Sequence, residues 1–127
     1  LYDIAAKGAN MPLYHFLGGS KRPLVTDETI YIDTPDRMAD NALRIYENGG
    51  VAIKVKLGTT VKDDLDRLYT IERALDATYP HRSSYDIPYR LDANQGWDYV
   101  TASEVLRQTR LIDHQFQYCE QPVRRQD

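Results

Sequence analysis

A parallel α/β fold is the architecture this sequence predicts, and three short segments predict it. Ile53-Lys54-Val55-Lys56-Leu57, Leu91-Asp92-Ala93-Asn94-Gln95 and Tyr118-Cys119-Glu120-Gln121-Pro122 are each an apolar, strand-like run that ends in ionisable groups. The stretches between them read as helices. Lys56 to Asp92 is 36 residues and Asp92 to Glu120 is 28, the length of one strand–helix–strand step. Strands joined by helix-length crossovers pair in parallel.

Taken in order, residues 3–17 look helical but are interrupted at Met11-Pro12, so two short helices are predicted, the second with Pro12 in its first turn. Gly18-Gly19 ends it. Residues 28–32 are β-branched and aromatic, hence a strand. Thr34-Pro35 supplies an N-cap and an N1 proline. Met38, Ala42, Ile45 and Tyr46 follow at helical spacing, and Gly49-Gly50 closes that helix. Residues 51–57 form the second strand. Thr60 caps the next helix, whose stripe is Leu65, Leu68, Ile71, Leu75 and Tyr79 before Pro80 stops it. After a polar loop at 81–86, residues 87–93 form the third strand. Thr101 with Glu104 reads as a capping box for a helix through Val105, Leu106 and Leu111. Residues 114–120 give the fourth strand, its pairing part over 115–120.

The chain has 127 residues, 42% hydrophobic and 28% charged, enough for one core and against disorder. A complete (β/α)8 barrel needs about 250 residues, so only a partial barrel of about four strand–helix units fits. A net charge of −3 and a pI near 5.6 give no basis for nucleic-acid binding. The clusters Lys21-Arg22 and Arg124-Arg125 are too small to change that. The single Cys119 excludes an internal disulfide framework and fits a reducing cytoplasm. No apolar run has membrane-spanning length. The chain opens on Leu1 inside a helix-like stretch, which reads as a piece of a longer polypeptide.

Alternation along a strand puts Lys54 and Lys56 on one face and Ile53, Val55 and Leu57 on the other. In an open antiparallel sheet that would be a solvated face. The crossovers argue otherwise, because helices cover the apolar side of a parallel strand and the other face points into a barrel interior. Lysines there belong near the rim, where reactive groups gather. Neighbouring ammonium groups depress one another's pKa, so one of the pair can act as a neutral base. Asp92 and Asn94 share a face with Arg90, and Tyr118 shares one with Glu120, though Asp and Asn are also ordinary turn residues. Cys119 then points to the helix layer as a small core residue. His15, His81 and His114 show no metal-ligand spacing, and Trp97 with the ten tyrosines reads as packing and rim.

Pro12-Leu13-Tyr14-His15-Phe16-Leu17-Gly18-Gly19, the Lys-x-Lys strand, the segment from Leu91 to Trp97 and Glu120-Gln121-Pro122 together resemble the enolase superfamily, in its muconate-lactonizing-enzyme subgroup. The stretch from Thr29 to Ala39 looks most like the dipeptide epimerases, of the L-Ala-D/L-Glu type. The resemblance implies residues 1–20 as linker helices and residues 21–127 as the N-terminal half of the barrel, without the capping domain or the second half. It implies Lys56 as general base, Lys54 as the lysine that tunes it and holds the substrate carboxylate, Asp92 and Glu120 as Mg²⁺ ligands, and Asn94 and Thr29 in supporting or substrate-binding positions. The metal would stabilise the charge left when an α-proton next to a carboxylate is removed. A third metal carboxylate and a second lysine would lie beyond this chain. Other activities with the same half-site are a muconate cycloisomerase, an o-succinylbenzoate synthase or an acid-sugar dehydratase. A different class of reading is a non-catalytic half-barrel that self-assembles or pairs with a missing half. The implied partner is a small carboxylate, a dipeptide, rather than nucleic acid or membrane.

Overall fold

The computed structural model describes residues 1–83, 86–112 and 114–126. Its elements run α1 (Tyr2–Gly8), α2 (Leu13–Phe16), β1 (Glu28–Ile30), α3 (Pro35–Glu47), β2 (Ile53–Lys56), α4 (Val61–Thr78), β3 (Tyr89–Asp92), α5 (Tyr99–Thr109) and β4 (Phe116–Glu120). Among the described residues the strands form one sheet in the order β1-β2-β3-β4, every pair parallel. The predicted partial barrel of parallel strand–helix units is the observed architecture.

The strands are shorter than their apolar runs, because pairing ends before hydrophobicity does. Pro88 lacks an N–H, yet its carbonyl still accepts from Ile53 N–H at 3.0 Å, just before β3 begins. Ile53, Val55 and Leu57 are essentially fully buried on the helix side, where the stripes of α3 (Met38, Ala42, Ile45) and α4 (Leu68, Ile71, Leu75) meet them. Tyr46 and Tyr79 close the far end of that layer with ring centroids 4.4 Å apart. No helix among the described residues is long and apolar enough to cross a membrane.

Two local expectations are corrected. α5 begins two residues before the predicted capping box: Asp98 is the N-cap, its side chain accepting from Thr101 N–H. Aspartate is at least as good a cap as threonine, and Glu104 instead pairs with Arg107 and Gln108. The same helix stops at Thr109, and Leu111 is exposed rather than part of its buried stripe.

β4 carries an irregularity in its register with β3. Phe116 pairs with Tyr89, but Tyr118 pairs with Arg90, so Gln117 is an extra residue. The bulge puts Phe116 and Cys119 in the core layer and both Gln117 and Tyr118 beside Arg90. Cys119 is half-buried, and burial pushes its thiol up to about 11, as befits a packing residue.

Candidate active site

Register assembles the site. Lys56 is opposite Asp92, and Asp92 is opposite Glu120, so the three form one row across β2, β3 and β4 at their C-terminal ends. Lys54 stands one row lower, between Thr29 and Arg90. Its four-carbon stem carries the ammonium up to the carboxylates: Nζ donates to Glu120 Oε2 at 2.6 Å and lies 3.0 Å from Asp92 Oδ2. Lys56 Nζ donates to Asp92 Oδ2 at 2.6 Å and to Asn94 Oδ1 at 2.9 Å. Asn94 holds a left-handed backbone (φ 48°), from which its N–H donates back to Asp92 Oδ1 at 3.0 Å. The sequence-predicted residues Lys54, Lys56, Asp92, Asn94 and Glu120 therefore converge. Thr29 lies beside Lys54 on β1, and no hydrogen bond joins it to them among the described residues.

Asp92 is 1% exposed. Burial works against its charged form, yet hydrogen bonds from Lys56, Lys54 and the Asn94 N–H hold the carboxyl below the usual range. Hydrogen bonds to Glu120 and Asp92 push Lys54 well above an ordinary lysine. The expectation that crowding would depress a lysine is thus reversed at Lys54, since carboxylates at hydrogen-bond distance outweigh the like charge one row away. Below this layer, Arg90 donates to Asp27 at 2.9 Å and to Gln117 at 2.7 Å, with Tyr118 beneath its guanidinium, so the interior floor is also ion-paired.

Among the described residues no group of three or more His, Cys, Asp or Glu side chains converges as a metal cluster. Asp92 and Glu120 nevertheless share one cation already, the Lys54 ammonium. Two carboxylates on a single positive charge fit Mg²⁺, which keeps water in its remaining positions.

Residues 37–127 match the model of the enolase C-terminal domain-like family. The chain belongs to this enolase family. It is 44% identical over 126 residues to the D-Ala-D/L-Ala epimerase of Cytophaga hutchinsonii, covering 98% of this chain and 32% of that protein. It is 36% identical over 126 residues to the hydrophobic dipeptide epimerase of Enterococcus faecalis, covering 99% and 33%. A crystal structure of the Cytophaga hutchinsonii dipeptide epimerase, complexed with Mg and the dipeptide D-Ala-L-Val, superposes with a TM-score of 0.82 at 41% identity over 98% of this chain and 32% of that one. The chain spans about a third of the length of the relatives it matches.

The structure of this enolase-family chain also shows residues that sequence reasoning missed. Asp64, in the first turn of α4, is fully buried and accepts from Trp97 Nε1 at 2.7 Å. An acidic residue near a helix start ordinarily complements the macrodipole, so nothing in the sequence separated Asp64 from its neighbour Asp63. His114, assigned no role, is buried between Glu72 and the Ile87 carbonyl, and Arg82 pairs with the same glutamate. That cluster precedes β3 and β4, at the sheet end opposite the lysines.

Proposed function

We propose that this chain supplies one wall of the active site of a Mg²⁺-dependent dipeptide epimerase: one base, its companion lysine and two metal carboxylates. The observation that carries the reading is the convergence of Lys54 and Lys56 on Asp92 and Glu120 at the strand ends, in a chain whose relatives are dipeptide epimerases. Lys56 takes the α-proton from one face of the substrate. Its hydrogen bonds to Asp92 and Asn94 fix where Nζ sits, which is what positioning contributes to a proton transfer. Lys54, held as an ammonium, faces the substrate carboxylate with a positive charge. Asp92 and Glu120 would hold Mg²⁺, which when bound would neutralise charge developing on that carboxylate. Thr29, beside Lys54, is assigned to substrate contact.

Epimerisation returns a proton to the opposite face, so a second donor is required, and the lysine pair here occupies one wall. The test is deuterium incorporation into L-Ala-L-Glu and D-Ala-L-Val in D₂O with millimolar Mg²⁺, using a polypeptide of the relatives' length that contains this chain. Exchange at the α-carbon that disappears with Lys56→Ala supports the reading. Undiminished exchange from both stereoisomers refutes it. The 127 residues alone are expected to show no turnover, because an open site leaves its charges in water, where they act weakly.

A further inference from the structure

Asp64 is buried completely and plays no part in the proposed chemistry. Its carboxylate is fully engaged. Oδ2 accepts from Gly58 N–H (3.0 Å), Thr59 N–H (2.8 Å) and Trp97 Nε1–H (2.7 Å). Oδ1 accepts from the Thr59 hydroxyl (2.7 Å) and from Arg67 Nη1 (2.7 Å). Gly58 and Thr59 follow Lys56 in the loop after β2, and Trp97 ends the loop after β3 that carries Asn94. One carboxylate therefore ties together the two loops that leave the proposed base and metal ligand.

The two loops also touch directly. Gly58 has φ +114°, and a Cβ there would strike the Ala93 carbonyl, while a Cβ on Gly96 would strike the Gly58 backbone. Glycine at both positions is what permits this approach. The stitching continues to the third loop, where Ala93 N–H donates to Glu120 O at 3.1 Å, Gln95 N–H donates to Gln121 O at 2.8 Å, and Trp97 bridges Val123. A carboxylate that only capped its own helix would bond the helix's own N–H groups, a task Thr60 performs here through Asp63 N–H.

We propose that Asp64 and Trp97 are positioning residues, a buried latch that fixes the loop after Lys56 against the loop after Asp92. The latch sets the Lys56–Asp92–Asn94 geometry from outside the site. Its catalytic relevance rests on the roles proposed above for Lys56 and Asp92; its structural part does not.

Trp97 is the only tryptophan, so its indole N–H signal is unambiguous. Side-chain NMR of the 127-residue protein tests the latch through three variants. In the parent protein, indole Hε1 exchange with solvent should be at least tenfold slower than in free tryptophan. Trp97→Phe keeps an aromatic ring and removes the donor, and should displace the Lys56 side-chain Hε and Asn94 amide resonances while the protein stays folded. Asp64→Asn should displace the same resonances, whereas Asp66→Asn, on the exposed face of α4, should not. In the exchange assay Trp97→Phe should lower kcat by about 10- to 100-fold with KM within about twofold, the pattern of misplacement rather than lost binding. Fast indole exchange, or unmoved Lys56 and Asn94 signals in folded Trp97→Phe, would overturn the latch. If Asp64→Asn does not fold, Trp97→Phe decides alone. Absence of any α-proton exchange in the parent refutes the epimerase reading and leaves the resonance measurements to judge the latch.

Discussion

Lys54 and Glu120 meet at 2.6 Å although a whole strand, β3, lies between their own. Strands two apart in a sheet are separated by about 9.5 Å, so a bond across that gap requires both side chains to stand on the same face and lean inward. Arg90, reaching from β3 to Asp27 before β1, does the same one layer below. Ion pairs that skip strands thus line the interior face of this sheet, as apolar side chains line the other.

Removing one carboxylate should not be equivalent to removing the other. Asp92 is 1% exposed on its side chain and contacts both lysines, whereas the Glu120 side chain is 44% exposed. Asp92→Asn is expected to destabilise the fold by about 3 kcal/mol, as when one partner of a buried pair is lost. Glu120→Gln should cost less than about 1 kcal/mol. Denaturant titration of the two variants checks this, and equal losses would contradict the burial argument. Both should weaken Mg²⁺ binding, measured by calorimetry.

Stability should fall on acidification in step with Asp92. Its folded pKa is depressed, so the contribution is present above the unfolded value, about 3.9, and is lost as pH falls through the lower folded value. The difference in unfolding free energy between the parent protein and Asp92→Asn is therefore expected to be constant near neutrality and to shrink below about pH 4. A gap that widens on acidification would reverse the sign assigned to Asp92.

Lys54 occupies the Asp92 and Glu120 oxygens to which the proposed function assigns a divalent cation. Lys54→Met should bind Mg²⁺ several-fold more tightly than the parent, because a competing positive charge is gone. It should also gain more thermal stability from millimolar Mg²⁺, which would relieve Glu120, left without its ammonium partner, beside an Asp92 that keeps only Lys56. Thermal melts with and without Mg²⁺ read both effects. Weaker binding in Lys54→Met would show that the ammonium assists the metal rather than excludes it.

Gly58→Ala should be costly although it adds only a methyl group. The residue has φ +114°, and its added methyl meets the Ala93 carbonyl. A left-handed non-glycine backbone alone costs on the order of 1–3 kcal/mol, and the displaced carbonyl would add to it. Gly8→Ala, where nothing lies within 4 Å, is the control. A melting temperature lowered in Gly58→Ala and not in Gly8→Ala is expected, and an unchanged one in Gly58→Ala would contradict the strained, crowded turn.

Alternation and spacing determined a large share of this protein. Ile53, Val55 and Leu57 alternating with Lys54 and Lys56 fixed which face is buried, helix-length intervals fixed parallel pairing, and the ionisable strand ends fixed where Lys56, Asp92 and Glu120 would gather. These are legible because strand period and crossover length are properties of consecutive residues. Local choices between competing caps were less so: Asp98 and Thr101 both suit a helix start, and only the path of the chain into α5 selects between them. The tertiary structure alone decided the ion pairing of Lys54 with Asp92 and Glu120, the bulge that puts Gln117 and Tyr118 beside Arg90, the burial of His114 with Glu72, and the Asp64–Trp97 bond across 33 residues. Each depends on which groups meet through space. A carboxylate takes its meaning from the donors around it, and those donors sit on loops whose approach no local pattern encodes.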